Sequence, residues 1–383
     1  MNQRSYLDYN ATAPLLPEVR DAVIDALAQT GNPSSVHEEG RAGRAAVEEA
    51  RAKVAQLVGA RPEDVIFTSG GTEANALALA APAGEESWQC YLSAIEHPSV
   101  LSGGRFHRET TTLIPVTSDG VADLAVLAMK LEKHKPGGWR PLVSLMAANN
   151  ETGALQPVSE AAGIVHEAGG ILHSDAVQAV GRVPVDMTVL GTDMVTLSAH
   201  KIGGPKGVGA LVLAEGVSVQ PMIKGGGQES RRRAGTENVP GIVGFGVAAE
   251  LAAKALADVA ALAALRDQLE EGVCAIASDA VILSASAPRL PNTSCIAVPG
   301  VKAETLVIGL DLAGIAVSAG SACSSGKVEA SHVLQAMGMA PEIANGAVRV
   351  SLGFGTGNDD IQRYLSAFGG LIERLKRNAK EAA

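Results

Sequence analysis

Lys201 lies in the stretch Ala199-His200-Lys201-Ile202-Gly203-Gly204-Pro205-Lys206-Gly207. Residues 193–198 before it are alternating and β-branched enough for a buried strand, and an apolar run over 208–213 follows the glycines. The spacing predicts a lysine on a tight turn between two strands. An ammonium there is costly unless it is exposed, paired or chemically committed. Lysine is the side chain that forms Schiff bases with carbonyl compounds, and burial moves it toward the reactive amine. A solvated turn lysine is the plainer reading. Ser198 and His200, polar groups suited to an anion, weigh against it, as does Asp175 upstream.

Asp175 ends a predicted strand, where a carboxylate can keep a pyridinium N–H protonated and make the ring an electron sink. The alternative is a helix cap, with 176–180 read as the helix. A cap alone leaves Gln178 unexplained, whose amide can return to the same face and bond a ring oxygen. His97, before Pro98, is either a turn histidine or a ring lying flat on a planar ligand. Thr72, Ser198, His200 and Thr236 are donors of the kind a phosphate wants. An aromatic aldehyde with a phosphate tail, held by a lysine, is pyridoxal phosphate.

The elements that must position these residues alternate. Helices are predicted over 18–29 and 37–57, then a strand over 64–68, the turn Ser69-Gly70-Gly71-Thr72 and a helix over 73–80. A strand, a glycine turn and a helix N-terminus can cradle phosphate on free backbone N–H groups, although a bare packed turn is about as common. Strands over 90–95, 112–116, 142–147 and 171–173 alternate with helices over 124–133 and 158–168. Such βαβα order implies a mostly parallel sheet covered on both faces, with ligands beyond the carboxyl ends of its strands. Gly71, Thr72, His97, Asn150, Asp175 and Ser198–Lys201 all follow strands at that end. The alanine-rich stretch 247–265 reads as one long helix. Beyond residue 278 shorter strands (281–283, 293–298) alternate with helices (304–310, 331–337), a second, smaller α/β domain ending in a helix over 359–376. Three successive arginines, Arg231-Arg232-Arg233, suit a solvated face, or a loop reaching an anion or a second subunit.

The chain has 383 residues, 46% hydrophobic and 19% charged, with a formal net charge of −10. That length suits about two domains. No basic stripe favours nucleic acid or an anionic membrane. No apolar run of about 18 residues would span a bilayer, and the first ten residues have no signal-peptide pattern. The four cysteines are scattered without CxxC spacing, against a zinc site or a secreted disulfide framework. A reducing cytoplasm is the expected location. Cys90, Cys274 and Cys295, in apolar surroundings, read as buried packing residues.

The motifs together resemble the cysteine desulfurases of the pyridoxal-phosphate-dependent class V aminotransferase superfamily. They are Tyr6-Leu7-Asp8-Tyr9-Asn10-Ala11-Thr12, Gly31-Asn32-Pro33-Ser34-Ser35, Phe67-Thr68-Ser69-Gly70-Gly71-Thr72-Glu73, Glu96-His97, Asn149-Asn150-Glu151-Thr152-Gly153, His173-Ser174-Asp175-Ala176-Val177-Gln178, Ser198-Ala199-His200-Lys201, Arg233-Ala234-Gly235-Thr236-Glu237-Asn238, Ser318-Ala319-Gly320-Ser321-Ala322-Cys323-Ser324-Ser325-Gly326 and Arg349-Val350-Ser351-Leu352-Gly353. They run in the family's order over nearly the whole chain. The segment around Cys323 is similar to the branch serving iron–sulfur and nitrogenase cluster assembly.

The resemblance implies a fold-type I enzyme, with a large cofactor-binding domain over 13–256 and a small domain of 1–12 and 257–383 that carries the catalytic cysteine loop. It implies that Lys201 bonds the cofactor, Asp175 pairs with its ring nitrogen and His97 stacks on the ring. Gln178 and Asn150 would contact its phenolic side. Gly71, Thr72, Ser198 and His200 would bind its phosphate, with Thr236 reaching the phosphate of the other subunit in a homodimer. Arg349, with Asn150, would hold the substrate carboxylate, for which a guanidinium fork is well shaped. Its plainer alternative is a strand-edge ion pair. Cys323 would be the nucleophile that takes sulfur from L-cysteine as a persulfide, releases alanine and feeds an iron–sulfur scaffold or other acceptor. No resident metal is implied, only a contact of Cys323 with a transferred cluster. The chain departs from common family patterns at Ala148 or Ala147, at Gly203 and at Phe354, none of which removes a group the chemistry needs.

Overall fold

Apolar runs with no polar face become strands buried on both sides. The structure, a computed structural model, describes residues 4–80, 87–102, 104–106, 111–134, 139–319 and 331–381. Its strands in chain order are β1 (Ser5–Tyr6), β2 (Val65–Thr68), β3 (Trp88–Ser93), β4 (Thr111–Ile114), β5 (Arg140–Ser144), β6 (Ile171–Asp175), β7 (Met194–Ser198), β8 (Gly209–Leu213), β9 (Val281–Ile282), β10 (Thr293–Ala297), β11 (Ile315–Ala316), β12 (Ser318–Ala319) and β13 (Val348–Ser351).

Among the described residues, the large sheet has seven strands in the order β2-β8-β7-β6-β5-β3-β4. Strands β3 to β7 pair in parallel. Strand β8 is antiparallel to both β7 and β2. β2 therefore points the same way as β3–β7, and all of them end at the edge where β8 begins. Val143, Leu172 and Val195 face one side, under the helices Glu38–Leu57, Leu124–His134, Val158–Glu167 and Val239–Ala255. Their strand neighbours Leu142, Ile171 and Met194 face the other, against Gly71–Ala78. That two-residue alternation, apolar on both faces, is why these segments read as continuous hydrophobic runs.

A second sheet has the order β12-β13-β10-β9, antiparallel throughout. Strand β1 pairs with β11, and Leu7 lies in the same core as Ile296, Val350, Tyr364 and Phe368. The start of the chain thus packs with its last third. Among the described residues no helix is long and apolar enough to cross a membrane.

Two expectations are corrected. The alanine-rich stretch 247–265 is not one helix: Val239–Ala255 and Val259–Ile276 are separated by a 3-10 turn at Leu256–Asp258. The first helix puts Phe245 and Ala249 into the core of the large sheet, and the second puts Leu269 and Val273 into that of the small one. One straight helix could not serve both. Cys274 is exposed, unlike the buried Cys90 and Cys295, because Leu269 and Val273 take the inward face of its helix.

The arginine-rich segment is pinned from below. Arg51 Nη1 and Nη2 donate to Glu229 Oε2 and Oε1 at 2.6 and 2.9 Å, and Phe67 N–H donates to the same Oε2 at 3.0 Å. Both charged side chains are buried. Glu229, Ser230 and Arg231 all have positive φ (44°, 53° and 66°), which non-glycine residues rarely adopt. We expect Glu229→Ala, which takes the buried carboxylate from Arg51 and leaves the Phe67 N–H without its acceptor, to cost about 3–5 kcal/mol of unfolding free energy. Denaturant melts resolve this; a loss below about 1 kcal/mol would show that the pair does not pin the segment.

Candidate active site

The common edge collects the carboxyl ends of β2, β3, β5, β6 and β7, and with them the residues singled out above. After β2 the chain turns at Gly70, with φ of 156°, into the helix Gly71–Ala78. Strand β8 must pass against this turn: a Cβ on Gly209 would sit 2.6 Å from the carbonyl carbon of Gly70. Thr12, Gly71, Thr72, Ser198, His200 and Lys206 line a cavity of about 360 Å³ at the helix N-terminus. His200 Nδ1 lies 3.1 Å from Thr12 Oγ1. Burial, reinforced by the charges of Lys201 and Lys206, lowers the His200 pKa to about 4, so at neutral pH the ring is an uncharged hydrogen-bonding partner. Free backbone N–H groups, three hydroxyls, an imidazole and an ammonium suit a phosphate monoester.

Glu73 forms the rim of that cradle. Burial would raise its pKa, but Arg233 Nε at 2.8 Å and the N–H of Ser69 at 2.8 Å outweigh this and hold it below the usual value. The Ser69 hydroxyl donates to Glu73 as well.

Asp175 ends β6 and is buried. It caps no helix, because 176–180 is a series of turns. Its Oδ1 accepts from Val177 N–H at 3.1 Å and its Oδ2 from Asn75 Nδ2 at 2.7 Å. Asn75 also donates to Ser99 Oγ at 2.9 Å, and Ser99 Oγ is 2.8 Å from His97 Nδ1. Ser99 N–H donates to the same Nδ1, so the neutral ring carries its proton on Nε2. Burial lowers the His97 pKa against the opposing charge of Asp175, with Lys201 and His332 adding to the fall. Asp175 and His97, far apart in sequence, are therefore oriented by one chain of hydrogen bonds.

A second chain crosses between the sheets. Lys201 Nζ donates to the main-chain oxygens of Asn10 and Ala11, at 2.6 and 3.0 Å. Gln178 Nε2 donates to the same Asn10 oxygen at 3.0 Å, and its Oε1 accepts from Arg182 Nη1 at 2.5 Å. Arg349 is buried on β13, which lies between β12 and β10 and is no strand edge. Its Nη1 donates to Asn150 O at 3.0 Å and its Nη2 to Asp8 Oδ1 at 2.8 Å, while its Nε has no partner. The ion pair foreseen as the plainer reading exists, within the sheet rather than at its edge.

Thr236 is exposed and is not among the residues lining the cradle; its loop touches the site through Arg233 and Glu73. Cys323 lies outside the described residues. The segment that carries it begins after β12, whose Ser318 pairs with Arg349. It ends at Ser331, whose Oγ donates to Glu151 Oε2 at 2.6 Å. Sequence reasoning missed Asn75, Ser99, Asp8 and Glu151 as functional neighbours. Asn75 carried a signal, since it lies one helical turn after Gly71 and so on the same face. The others have none short of the fold.

The class V aminotransferase family model matches residues 5–364. The chain belongs to that family, whose cofactor is pyridoxal 5'-phosphate, and the donor set described above fits that group. A cysteine desulfurase of Cereibacter sphaeroides is 44% identical over 98% of this chain and 97% of its own length. The cysteine desulfurase IscS of Dictyoglomus turgidum is 41% identical over 98% and 96%. The solved NifS-like protein of Rickettsia africae superposes with a TM-score of 0.88 at 35% identity, over 97% of this chain and all of that one. Within the family, the place of this chain is among the cysteine desulfurases.

Glu151 offers a test of the site's electrostatics. Burial pushes its carboxyl from 4.5 up to about 7, against the pull of Ser331 and Arg349. A folded-state value above the unfolded one means that stability is full below about pH 4.5 and declines as pH rises through about 7. Glu151→Gln keeps an acceptor for Ser331 and removes the ionisation. We expect the wild type to lose stability relative to Glu151→Gln between pH 5 and 8, by on the order of 3 kcal/mol. Parallel pH profiles of the two proteins would disprove the shift.

Proposed function

We infer that this chain is an enzyme that converts L-cysteine to L-alanine and hands the sulfur, as a persulfide on Cys323, to an acceptor for iron–sulfur cluster assembly. The observation that best supports this is the line from Lys201 through Asn10 and Asn150 to Arg349, an amine and a carboxylate receptor in one cleft. We assign Gly71, Thr72, Ser198 and His200 to the cofactor's phosphate, Asp175 to its ring nitrogen, His97 to its ring face and Gln178 and Asn150 to its phenolic side. Thr236 of the partner subunit completes the phosphate site in a homodimer. A large domain over 13–256 and a small one of 1–12 and 257–383 flank the cleft, and the enzyme works in the cytoplasm.

Bound there, pyridoxal phosphate supplies an electron sink for the substrate's α-carbon. Lys201 Nζ anchors it and moves the α-proton. Arg349 holds the carboxylate, and Asn150 keeps the guanidinium in its plane. His97, neutral at physiological pH, would offer a transferable proton on Nε2. Cys323 Sγ attacks the substrate sulfur. An S–S bond forms, the Cβ–S bond breaks, and its electron pair stays on carbon, which takes up a proton to become the methyl of alanine. Two thiols, that of Cys323 and that of cysteine, are thereby exchanged for a persulfide and a methyl group with no external oxidant. Ser318 beside Arg349, and Ser331 on Glu151, support delivery of the Cys323 segment to the substrate end of the cleft.

Cys323→Ala should fold, bind cofactor and respond spectrally to cysteine, yet lose alanine release by more than about a hundredfold. Cys90→Ala, Cys274→Ala and Cys295→Ala should keep most activity. Persulfide labelling across the four variants decides: wild-type turnover by Cys323→Ala, with the label on another cysteine, would refute the assignment. Lys201→Ala should lose the borohydride-reducible link to the cofactor. Sedimentation of a fully loaded, active monomer would rule out the shared phosphate site.

A further inference from the structure

Asn10 is 1% exposed and touches both chemical ends of the cleft. Its main-chain oxygen is the acceptor shared by Lys201 Nζ and Gln178 Nε2. Its side-chain Nδ2 donates to Asn150 O at 3.1 Å, the oxygen that also accepts from Arg349 Nη1. The same Nδ2 donates to Thr293 Oγ1 at 2.9 Å, and Oδ1 accepts from Asn292 Nδ2 at 3.1 Å. Its N–H donates to Ser351 Oγ at 3.0 Å, two residues along β13 from Arg349. One buried residue therefore bonds to β10, to β13, to the turn after β5 and to the lysine after β7.

We propose that Asn10 is a positioning residue that couples Lys201 to Arg349, so that the amine and the carboxylate receptor keep one register across the two sheets. The proposal rests on the roles assigned above to those two residues. The physical reason is the sharing of acceptors. Asn150 O has two lone-pair directions, one taken by Arg349 Nη1 and one by Asn10 Nδ2. Any shift of Asn10 moves that oxygen or leaves it half-satisfied, and the guanidinium follows. At the other end, a rotation of the Asn10 peptide withdraws the oxygen that Lys201 uses. Asn292 and Thr293 fix the side-chain amide from the small sheet, so the peptide has little freedom to rotate while those bonds stand. A residue chosen only for packing would not need donors and acceptors satisfied in four directions.

The test uses holoenzyme and the product L-alanine, which carries the carboxylate and amine without sulfur. Its affinity is read from the change in visible absorption. Asn10→Ala should weaken L-alanine, and raise the KM for cysteine, by about tenfold, the scale of one lost buried hydrogen bond. In an Arg349→Lys background the same substitution should weaken L-alanine by less than about twofold, because coupled residues are not additive. A merely structural role would lower Tm and leave the two backgrounds equally affected, and additivity of that kind overturns the proposal. Should Asn10→Ala fail to fold, Thr293→Val, which removes one acceptor of Nδ2, should shift L-alanine affinity about threefold in the same direction; no shift overturns it. Arg349→Lys alone separates the premises. If it binds L-alanine like the wild type, the carboxylate assignment of Arg349 fails, and the coupling falls for that reason and not through Asn10.

Discussion

The cation at the end of β7 is the constraint from which the rest of the architecture follows. Lys201 leaves a strand buried on both faces, and its ammonium is met by two main-chain carbonyls, those of Asn10 and Ala11. The N-terminal segment brings those carbonyls there, with Asn10 bonded to Gln178 on one side and to Thr293 and Ser351 on the other. That segment is held at one end by β1 pairing with β11 and at the other by Ala13 N–H donating to His200 O. Once the segment is in place, Asp8 and Asn10 become the neighbours of Arg349, and the cleft has two walls and a floor. The site is thus a property of three distant parts of the chain, and neither sheet holds it alone.

Direction matters as much as position. Six strands of the large sheet end at one edge because β8 alone reverses, and β2, hydrogen-bonded only to β8, is reversed twice. The cavity after β2 therefore opens on the same side as Lys201 although the two strands are not adjacent. Had β8 been parallel, the helix Gly71–Ala78 would begin at the far edge. The requirement appears in the sequence as Gly209, the first residue of β8, where any side chain would collide with the turn at Gly70. A glycine that seems to serve a loop serves the topology.

The legible part of this protein was the part written in periods of two and of three to four. Buried strands announce themselves as apolar runs, their carboxyl ends follow from alternation with helices, and the chemical residues at those ends could be named before any coordinates. What stayed hidden were bonds between residues hundreds of positions apart. Nothing near Asp8 announces Arg349, and nothing near Glu151 announces Ser331. The helix joint at Leu256–Asp258 was hidden for a different reason: alanine favours helix on both sides of it, and the break is imposed by two cores that the helices must each reach. Cys274 was misjudged because hydrophobic surroundings in sequence are not surroundings in space. On a helix the residue after a buried valine turns outward by about 100 degrees.

Arg349 shows how structural and chemical demands meet in one side chain. A buried guanidinium needs an anion, and Asp8 provides one at 2.8 Å. A substrate carboxylate is a second anion and would be repelled by the first if both had to occupy the same face of the fork. Asp8 takes Nη2, Asn150 takes Nη1, and Nε is a buried donor without a partner. An unsatisfied N–H on a buried cation costs stability, on the order of 1–3 kcal/mol. If Arg349 has the role proposed for it, a carboxylate reaching Nε would gain a hydrogen bond that displaces none of those already made. On the same proposal, Asp8 would limit the net charge that the carboxylate meets.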